Sequence, residues 1–247
     1  MPTLYSKLLN QKKENQKKFA VLIDPDATSG SELNKVVDRC NEAHVDYILV
    51  GGSLITNGSF DQCIETIKLN SAIPCIIFPG NSFQINREAD AILLLSLISG
   101  RNAELLIGNH VLTAAQLKRS ALEIIATGYM LIDGGRTTSV SYMSNTIPIP
   151  SDKYAIAAST ALAGEMLGLK MIYMDAGSGA LQPVPSKLIT EVTQQISIPL
   201  FIGGGIRNEI QAIEACHAGA DVIVVGNAVE KDATLIKLLS QAIHRIG

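Results

Sequence analysis

Short runs of aliphatic and β-branched residues alternate with longer amphipathic segments along the whole chain. The short runs are apolar at every position rather than at alternate ones, which is typical of parallel strands covered on both faces. We predict eight such strands: Phe19–Asp24, Tyr47–Val50, Cys75–Phe78, Ala91–Leu95, Tyr129–Asp133, Met171–Asp175, Pro199–Ile202 and Val222–Val225. Because helical segments follow most of them at a spacing of about 30 residues, the pattern favours a closed (β/α)8 TIM barrel over an open doubly wound sheet.

Helical periodicity is clearest in the last third of the chain. The segment Asn208–Ala218 has apolar residues at helical spacing and ends before Gly219, as helices often do. Two more helices are predicted over Ser186–Gln195 and Asp232–Ile246. By contrast, Gly134–Ser151 is predicted to be a long polar loop after strand five, of the kind that forms lids or binding loops.

The composition supports one domain over residues 1–247. The 247 residues are 47% hydrophobic and 17% charged, which suffices for a single core and excludes intrinsic disorder. Twenty Lys and Arg against 23 Asp and Glu give a net charge of −3, so no nucleic-acid partner is expected. The one basic cluster is interpreted as a solvated first helix, with contact to a membrane surface or a polyphosphate as the alternative. Its members are Lys12, Lys13, Lys17 and Lys18.

The sequence also bears on localisation. Its first 13 residues, MPTLYSKLLNQKK, contain no apolar signal segment, and the longest apolar run, 91–98, is too short to span a bilayer. The cysteines are scattered without zinc-ligand spacing, so we interpret them as small hydrophobic residues in a reducing cytosol. They are Cys40, Cys63, Cys75 and Cys216. We therefore expect a soluble, cytoplasmic protein.

Active sites of TIM barrels lie at the carboxyl ends of the strands, so the residues that close each predicted strand are the candidates for chemistry. Glycine and acidic residues recur there, at 24–26 (DPD), 51–53 (GGS), 79–81 (PGN), 133–135 (DGG), 175–179 (DAGSG), 203–205 (GGG) and 226–227 (GN). The last two segments follow strands seven and eight, where barrels bind phosphate through backbone N–H groups and a helix N-terminus. These glycines predict a phosphate site; the alternative is that they only make tight turns.

Two pairs of polar side chains at these ends are candidates for catalysis. Asp175 ends strand six, two residues after Tyr173, and a carboxylate beside a bound polyol phosphate can act as a general base. A turn or helix-capping aspartate is the alternative. Asp24 and Ser53 offer oxygen ligands on adjacent strand ends, as a Mg²⁺ bound mainly to a diphosphate requires. A DPD turn also serves as a helix cap.

The histidines and loop arginines add little. The histidines form no triad and no metal-ligand set. His110 is predicted in a loop before a helix, and His44, His217 and His244 are predicted on helices. Arg101 and Arg136 lie in polar loops at the barrel end that carries the other candidates. There they would either hold a diphosphate or remain solvated.

Taken together, these loops resemble the geranylgeranylglyceryl phosphate synthase family, also called the heptaprenylglyceryl phosphate synthase-like family. The resemblance covers nearly the whole chain through LIDPD (22–26), ILVGGSLIT (48–56), IPCIIFPGN (73–81), SLISGRNAELLIGNHV (96–111), YMLIDGGRTTSV (129–140), YMDAGSGA (173–180), FIGGGIR (201–207) and VVGNA (224–228). The YMDAGSGA and SGRN segments are most similar to the longer subgroup, found in archaea and some bacteria.

The resemblance implies a prenyltransferase that uses Mg²⁺ to join sn-glycerol 1-phosphate to a long polyprenyl diphosphate, which makes an ether-lipid precursor. It implies that Asp24 and Ser53 bind Mg²⁺ and that Asp175 and Tyr173 are catalytic, although many relatives have Glu at the position of Asp175. Where a Lys often follows the DPD turn in relatives, this chain has Ala27 and Thr28. The glycerol phosphate is assigned to Tyr173, Met174, Asp175, Ala176, Gly177, Ser178, Gly179, Gly204, Gly205, Gly226 and Asn227.

Three further expectations accompany the resemblance. An apolar groove for the prenyl tail is expected near Ile98–Ile107 and the segment 79–83 (PGNSF). The chain is expected to form a homo-oligomer. Its lipid product implies peripheral contact with a membrane.

Two other functions fit the same pattern. A sugar-phosphate isomerase or an indole glycerol phosphate synthase-like lyase would share the phosphate loops after strands seven and eight. Such an enzyme needs an acid–base pair across the barrel and no Mg²⁺ at strand one. A non-catalytic phosphate-binding scaffold would bind the anion without turnover.

Overall fold

The computed structural model describes residues 2–56 and 60–246. Within them, eight parallel strands form a closed barrel in chain order, with the last strand paired to the first. The strands are β1 (Lys18–Ile23), β2 (Tyr47–Val50), β3 (Cys75–Ile77), β4 (Ala91–Leu97), β5 (Glu123–Leu131), β6 (Met171–Asp175), β7 (Leu200–Gly203) and β8 (Val222–Val225). The predicted TIM barrel is confirmed.

Helices surround this barrel except at one place. The described helices are α1 (Leu4–Lys13), α2 (Gly30–Glu42), α3 (Phe60–Asn70), α4 (Asn109–Ser120), α5 (Ser139–Ser144), α6 (Tyr154–Met166), α7 (Ser186–Thr193), α8 (Glu209–His217), α9 (Asn227–Lys231) and α10 (Leu235–His244). A short π-helix, Glu104–Gly108, leads into α4. Residues 78–90, which are all described, contain no helix, so the connection from β3 to β4 leaves part of the barrel wall uncovered.

Side chains that alternate along each strand build two cores. Inward residues such as Leu49 fill the barrel, whereas outward residues such as Ile48 pack against the helices. Helix α1 closes the amino-terminal end of the barrel: Leu4 and Leu8 join the inner core, and first-turn N–H groups of α1 donate to the Glu123 carboxylate at 2.5 and 2.8 Å. The carboxyl end of the barrel is therefore the end available for a ligand.

The largest departure from the sequence prediction is β5. The apolar pattern predicts Tyr129–Asp133, but the strand begins six residues earlier, at Glu123, and ends at Leu131. Thr127 and Gly128 interrupt the apolar run, so the first half of the strand lacks the signal that marks the others. As a result, Tyr129 lies inside the strand and faces the inner core rather than starting the strand.

Other element boundaries differ by a few residues. Strand β1 ends at Ile23, so Asp24 begins the following loop, and β4 continues to Leu97. Helices α7, α8 and α10 lie inside their predicted ranges, and Gly219 after α8 has the positive φ of +114° expected of a glycine that ends a helix. These differences move no predicted site residue away from a strand end.

The segment predicted as a long polar loop contains a helix. Thr138 and Ser141 form a capping box that starts α5, and Ile149 pairs with Ile132 beyond the end of β5. The prediction is therefore wrong for the middle of Gly134–Ser151, because short polar residues that suit a loop also suit a helix cap.

The basic cluster is not one helical face. Lys12 and Lys13 lie on α1, but Lys17 is buried and Lys18 belongs to β1. Lys12 pairs with Asp221 at 2.8 Å, and Lys18 pairs with Asp46 at 3.1 Å. The interpretation as a solvated helix is thus wrong for Lys17 and Lys18, and the ion pairs link elements at the base of the barrel.

Two histidine placements also change, while the cysteines are small buried residues as predicted. His44 follows α2 with a positive φ of +54°, and His110 lies on α4 rather than before it; His217 and His244 are on helices as predicted. All four cysteines are buried and unpaired with one another. Burial raises the pKa of each thiol to about 12, so these side chains act as small hydrophobic residues.

Candidate active site

The carboxyl ends of the strands surround a cavity of about 940 Å³. Most of the predicted site residues line it: Asp24, Ser53, Tyr173, Asp175, Ser178, Gly179, Gly204, Gly205, Gly226 and Asn227. Met174 and Ala176 instead pack between the barrel and the helices. Gly177 contributes through its backbone, because its N–H donates to Asp175. The structure thus brings the predicted residues of β1, β2, β6, β7 and β8 to one cavity.

A glycine permits close contact between the loops that follow β6 and β7. Gly204 has a φ of +78°, which side-chain-bearing residues rarely adopt. A Cβ at Gly204 would lie 2.5 Å from Oδ1 of Asp175 and 2.6 Å from the backbone nitrogen of Gly177. Any side chain at position 204 would therefore displace the Asp175 carboxylate or the loop that holds it.

The loops after β6 and β8 are also joined. The Ser178 hydroxyl donates to Oδ1 of Asn227 at 2.8 Å, and Gly226 precedes Asn227 at the start of α9. Gly179 and Gly205, both with positive φ, complete the same wall of the cavity. Three loops thus present backbone groups and small polar side chains to one space, the kind of surface that binds a phosphate group.

Asp175 lies at the bottom of this wall and is only 8% exposed. Its Oδ1 accepts a hydrogen bond from the Gly177 N–H at 2.6 Å, and its Oδ2 accepts one from the Tyr129 hydroxyl at 2.7 Å. Burial raises the pKa of the Asp175 carboxyl above its ordinary value, and the two hydrogen bonds only partly oppose this effect. A carboxylate with a raised pKa is a stronger base, so the environment suits a proton acceptor.

Aromatic rings pack together beside Asp175, and three of them, Phe78, Tyr129 and Tyr173, line the cavity. The ring centre of Tyr173 lies 4.9 Å from that of Phe78, 5.7 Å from that of Tyr129 and 6.1 Å from that of Phe201. Burial, followed by the charge of Asp175, raises the pKa of Tyr129 and of Tyr173 well above 10. Both phenols therefore keep their protons at neutral pH, and the Tyr129 hydroxyl donates its proton to the hydrogen bond with the carboxylate.

Carboxylates also meet at the end of β1. The Asp24 side chain lies against Gly52, where a Cβ would be 2.9 Å from Oδ2 of Asp24. The Asp24 N–H points at Oε1 of Glu230 on α9, at 3.4 Å. Burial raises the pKa of both carboxyl groups, and the charge of Asp24 raises that of Glu230 further. With Ser53 on the same cavity, the donors are all oxygen atoms, the ligand type that Mg²⁺ prefers.

These oxygen atoms are too few to enclose a metal. Among the described residues, no group of three or more His, Cys, Asp or Glu side chains is arranged to hold a metal ion. Mg²⁺ often completes its coordination with waters and substrate phosphates, so two or three protein oxygens fit a metal that binds together with a diphosphate.

One of the two candidate arginines lines the cavity. Arg136 does so, together with Lys231 and Arg207. Arg101 does not, and its guanidinium donates to the Gly100 carbonyl at 2.7 Å. Arg207 is also committed to the protein, because it donates to the carbonyl of Leu181 at 2.9 Å. Arg136 and Lys231 are thus the cations best placed to meet an anionic ligand.

The cavity continues as an apolar groove on the outer face of β4. Ile92 and Leu94 line the cavity at this part of the wall, where Ile92 belongs to the core between barrel and helices and the half-buried Leu94 packs against that core. Leu105 of the π-helix and Leu117 of α4 line it as well, and the segment 79–82 contributes to its rim. The groove predicted near Ile98–Ile107 and 79–83 therefore exists, but β4 and α4 supply much of its surface.

Sequence reasoning missed Tyr129 and Glu230. The pattern places Tyr129 at the start of a strand, far from the carboxyl end; in the structure it stands opposite Tyr173 in the strand register. Its position two residues before the end of β5 would have identified it had the strand been placed correctly. Glu230 lies on a helix after the Gly-Asn turn, where an acidic residue gives no signal of its own.

A known protein family matches nearly the whole chain. The profile of the PcrB family matches residues 11–243. The chain belongs to the PcrB family. This PcrB-family chain is 52% identical to the geranylgeranylglyceryl phosphate synthase of Chitinophaga pinensis over 241 residues, which cover 98% of this chain and 96% of the relative. The family predicted from the loop motifs is confirmed.

Archaeal relatives match this chain over most of their length. The geranylgeranylglyceryl phosphate synthase of Thermococcus gammatolerans is 42% identical over 230 residues, which cover 93% of this chain and 90% of the relative. The crystal structure of (S)-3-O-geranylgeranylglyceryl phosphate synthase from Thermoplasma acidophilum, in complex with its substrate sn-glycerol-1-phosphate, matches with a TM-score of 0.93 at 32% identity. That match covers 99% of this chain and 100% of the other.

Proposed function

We propose that this PcrB-family chain is a prenyltransferase that joins sn-glycerol 1-phosphate to a long polyprenyl diphosphate, such as geranylgeranyl diphosphate, and releases diphosphate. The observation that carries the proposal is a single cavity with three parts. Glycine-rich loops at β6, β7 and β8 suit a phosphate, a buried carboxylate suits a proton acceptor, and the groove along β4 suits a hydrocarbon chain. The names of the similar proteins describe the same chemistry.

In this proposal each end of the acceptor substrate has its own place. The phosphate group is held by the loop residues, from Ser178 and Gly179 to Gly204, Gly205 and Asn227, which fixes the distance from Asp175 to the terminal hydroxyl, the one farther from the phosphate. Holding the reactants in one orientation lowers the entropic barrier to their reaction. The hydroxyl oxygen attacks the first carbon of the prenyl chain, the bond from that carbon to diphosphate breaks, and Asp175 takes up the proton.

We propose Mg²⁺ as the cofactor, because the oxygen donors of Asp24 and Ser53 suit it and Gly52 leaves room beside Asp24. When bound, the metal would neutralise the charge that develops on the leaving diphosphate. Arg136 and Lys231 line the same cavity and stabilise the same negative charge.

The groove favours this function over the other two predicted from the sequence. A sugar-phosphate isomerase or lyase has a small polar substrate, which would leave the half-buried Leu94 and Leu105 facing water inside the active site. A phosphate-binding scaffold needs no base, yet Asp175 is a buried carboxylate on the cavity whose pKa is raised, a combination that favours a chemical role. Both observations support prenyl transfer.

The proposal is tested directly by product formation. We expect purified protein with radiolabelled glycerol 1-phosphate, Mg²⁺ and geranylgeranyl diphosphate to form a labelled product that partitions into organic solvent and releases one diphosphate per product. Removal of Mg²⁺ with a chelator is expected to stop both. A ladder of shorter and longer prenyl diphosphates identifies the donor that the groove fits. If none of these prenyl diphosphates reacts, prenyl transfer is wrong and a non-catalytic phosphate-binding scaffold is favoured.

Narrowing the groove is expected to affect the donor alone. We expect Leu94→Trp to raise KM for geranylgeranyl diphosphate about tenfold, because the indole fills space that the prenyl chain needs, and to leave the affinity for glycerol 1-phosphate unchanged. Steady-state kinetics with each substrate varied in turn measures both effects. Leu69→Trp is the matched control, since Leu69 is 85% exposed on α3 and lies outside the cavity. Equal KM values for the two variants would place the prenyl chain elsewhere.

Some expectations about the surroundings of the protein stay predictions. A cytoplasmic location, a homo-oligomer and peripheral contact with a membrane through the lipid product belong to this group. None of the helices in the described part of the chain has the length and apolar character needed to cross a bilayer.

A further inference from the structure

We infer that Tyr129 is a catalytic residue whose hydroxyl passes the proton of the attacking glycerol hydroxyl to Asp175. The inference rests on the proposed function and extends it, because it names the group that contacts the attacking oxygen. Three observations carry it: the hydrogen bonding of Asp175, the free acceptor sites of Tyr129, and the position of Tyr129 on the cavity.

Both oxygens of Asp175 already accept hydrogen bonds from the protein. Oδ1 accepts from the Gly177 N–H at 2.6 Å, and Oδ2 accepts from the Tyr129 hydroxyl at 2.7 Å. With the side chain only 8% exposed, little of the carboxylate faces the cavity. Tyr129, which donates to Oδ2, also lines the cavity, so its hydroxyl is a second polar group beside the carboxylate that a substrate can meet.

The Tyr129 hydroxyl has room for one more partner. A phenol oxygen can donate one hydrogen bond and accept two. Across residues 2–56 and 60–246, its only hydrogen bond is the one that it donates to Asp175. Its lone pairs are therefore available to accept a hydrogen bond from the substrate hydroxyl while its own proton remains directed at Oδ2 of Asp175.

The barrel holds Tyr129 firmly in this position. Tyr129 and Asp175 both line the cavity, and Tyr129 stands opposite Tyr173 in the register of β5 and β6. Its ring centre lies 5.8 Å from that of Phe78 and 5.7 Å from that of Tyr173. The long side chain thus reaches from within the strand to the carboxylate at the strand end, and it has little freedom to turn away.

The proton moves in two linked transfers. The glycerol hydroxyl gives its proton to Oη of Tyr129 while the phenolic proton of Tyr129 moves to Oδ2 of Asp175. The glycerol oxygen forms a bond to the first prenyl carbon, and the bond from that carbon to diphosphate breaks with its electron pair on the diphosphate. Tyr129 is a phenol before and after the step, and Asp175 ends as the carboxylic acid.

The experiment compares two tyrosine variants that each lose one buried hydroxyl. We expect Tyr129→Phe to lower kcat about 30-fold with KM for glycerol 1-phosphate within about twofold of wild type, because the hydroxyl acts in the transition state. Tyr47→Phe is the matched control: its hydroxyl bonds Gln11 at the closed end of the barrel, so kcat is expected to be unchanged. Thermal unfolding of both variants verifies that they fold.

A second substitution separates proton relay from simple positioning. Asp175→Glu in the Tyr129→Phe background extends the carboxylate toward the space that the hydroxyl has left. We expect kcat of this double variant to exceed that of Tyr129→Phe about tenfold, a non-additive pair. If Tyr129→Phe keeps its kcat, if it changes only KM, or if the longer carboxylate restores nothing, the relay is wrong. The proposed function itself is tested separately, by product formation in the wild type.

Discussion

Replacing Asp175 by Asn is expected to lower kcat for prenyl transfer by about 10³-fold, within the range that a general base contributes. The amide keeps the size of the side chain and can still accept from the Gly177 N–H, but it cannot take up a proton. Binding of glycerol 1-phosphate is expected to change little, because the loops around Gly204 and Asn227 are untouched. Single-turnover rates and calorimetric titration with glycerol 1-phosphate measure the two quantities.

The raised pKa of Asp175 adds two pH-dependent results to this prediction. For the wild type, kcat is expected to fall as the pH drops through the raised pKa, since the base must be ionised. Because the folded-state pKa lies above the unfolded value, the stability that this group contributes is present below the unfolded pKa. It is lost as the pH rises through the folded pKa. At neutral pH the buried charge therefore destabilises the fold, and Asp175→Asn is expected to unfold at an equal or higher Tm.

Either of two results would contradict this account. An Asn variant that retains prenyl transfer would exclude Asp175 as the proton acceptor. A variant with a clearly lower Tm at neutral pH would mean that the carboxylate stabilises the fold, and the loss of activity would then report unfolding. Circular dichroism melts of wild type and variant at several pH values distinguish the cases.

Gly204→Ala is expected to weaken the binding of glycerol 1-phosphate about 100-fold. The new Cβ would lie 2.5 Å from Oδ1 of Asp175 and 2.6 Å from the Gly177 nitrogen, so the loop after β6 must move away from the loop after β7. Because backbone geometry in this wall holds the phosphate, a shift of that size disrupts the hydrogen bonds on which affinity depends. The dissociation constant, measured by calorimetry, and KM for glycerol 1-phosphate report the effect.

Gly168→Ala is the matched control for backbone strain. Gly168, after α6, has a φ of +88°, similar to the +78° of Gly204, and a Cβ there would have nothing within 4 Å. It is expected to cost about 1 kcal/mol of stability from the left-handed conformation alone, with wild-type affinity for glycerol 1-phosphate. If the two variants bind glycerol 1-phosphate equally well, the loop contact at Gly204 has no part in binding.

Local patterns in the sequence proved sufficient for the barrel itself. Continuous apolar runs are a reliable sign of strands that are covered on both faces, so β2, β6 and β8 lie where the pattern predicts them. The apolar pattern did not mark the first half of β5, because Thr127 and Gly128 interrupt the apolar run there. The residue pattern also missed α5, because a capping Thr138 and its Ser neighbours have the composition of a loop. In both places the local residue pattern favoured a loop over the strand or helix that the structure contains.

The site was predictable where chemistry depends on strand ends and turns. The glycine loops and Asp175 follow directly from the rule that parallel strands point their carboxyl ends at one mouth. Tyr129 and Glu230 did not follow, since each acts through a partner that is distant in the chain, Asp175 for one and Asp24 for the other. A groove was expected because the family resemblance implies a prenyl substrate. Its walls on β4 and α4 were not predicted, because they depend on the absence of a helix between β3 and β4, in residues 78–90.

By itself, the sequence determined the number of strands, the closed barrel, the end of the barrel that carries the chemistry and the family to which the chain belongs. These properties follow from periodicity and from short motifs, both of which act between neighbouring residues. The tertiary structure decided how Asp175 is held, which tyrosine it meets and where a hydrocarbon chain can lie. Those properties depend on strand register and on distances between loops far apart in the chain. Burial raises the pKa of the carboxylate, and the two hydrogen bonds that the register allows only partly oppose it.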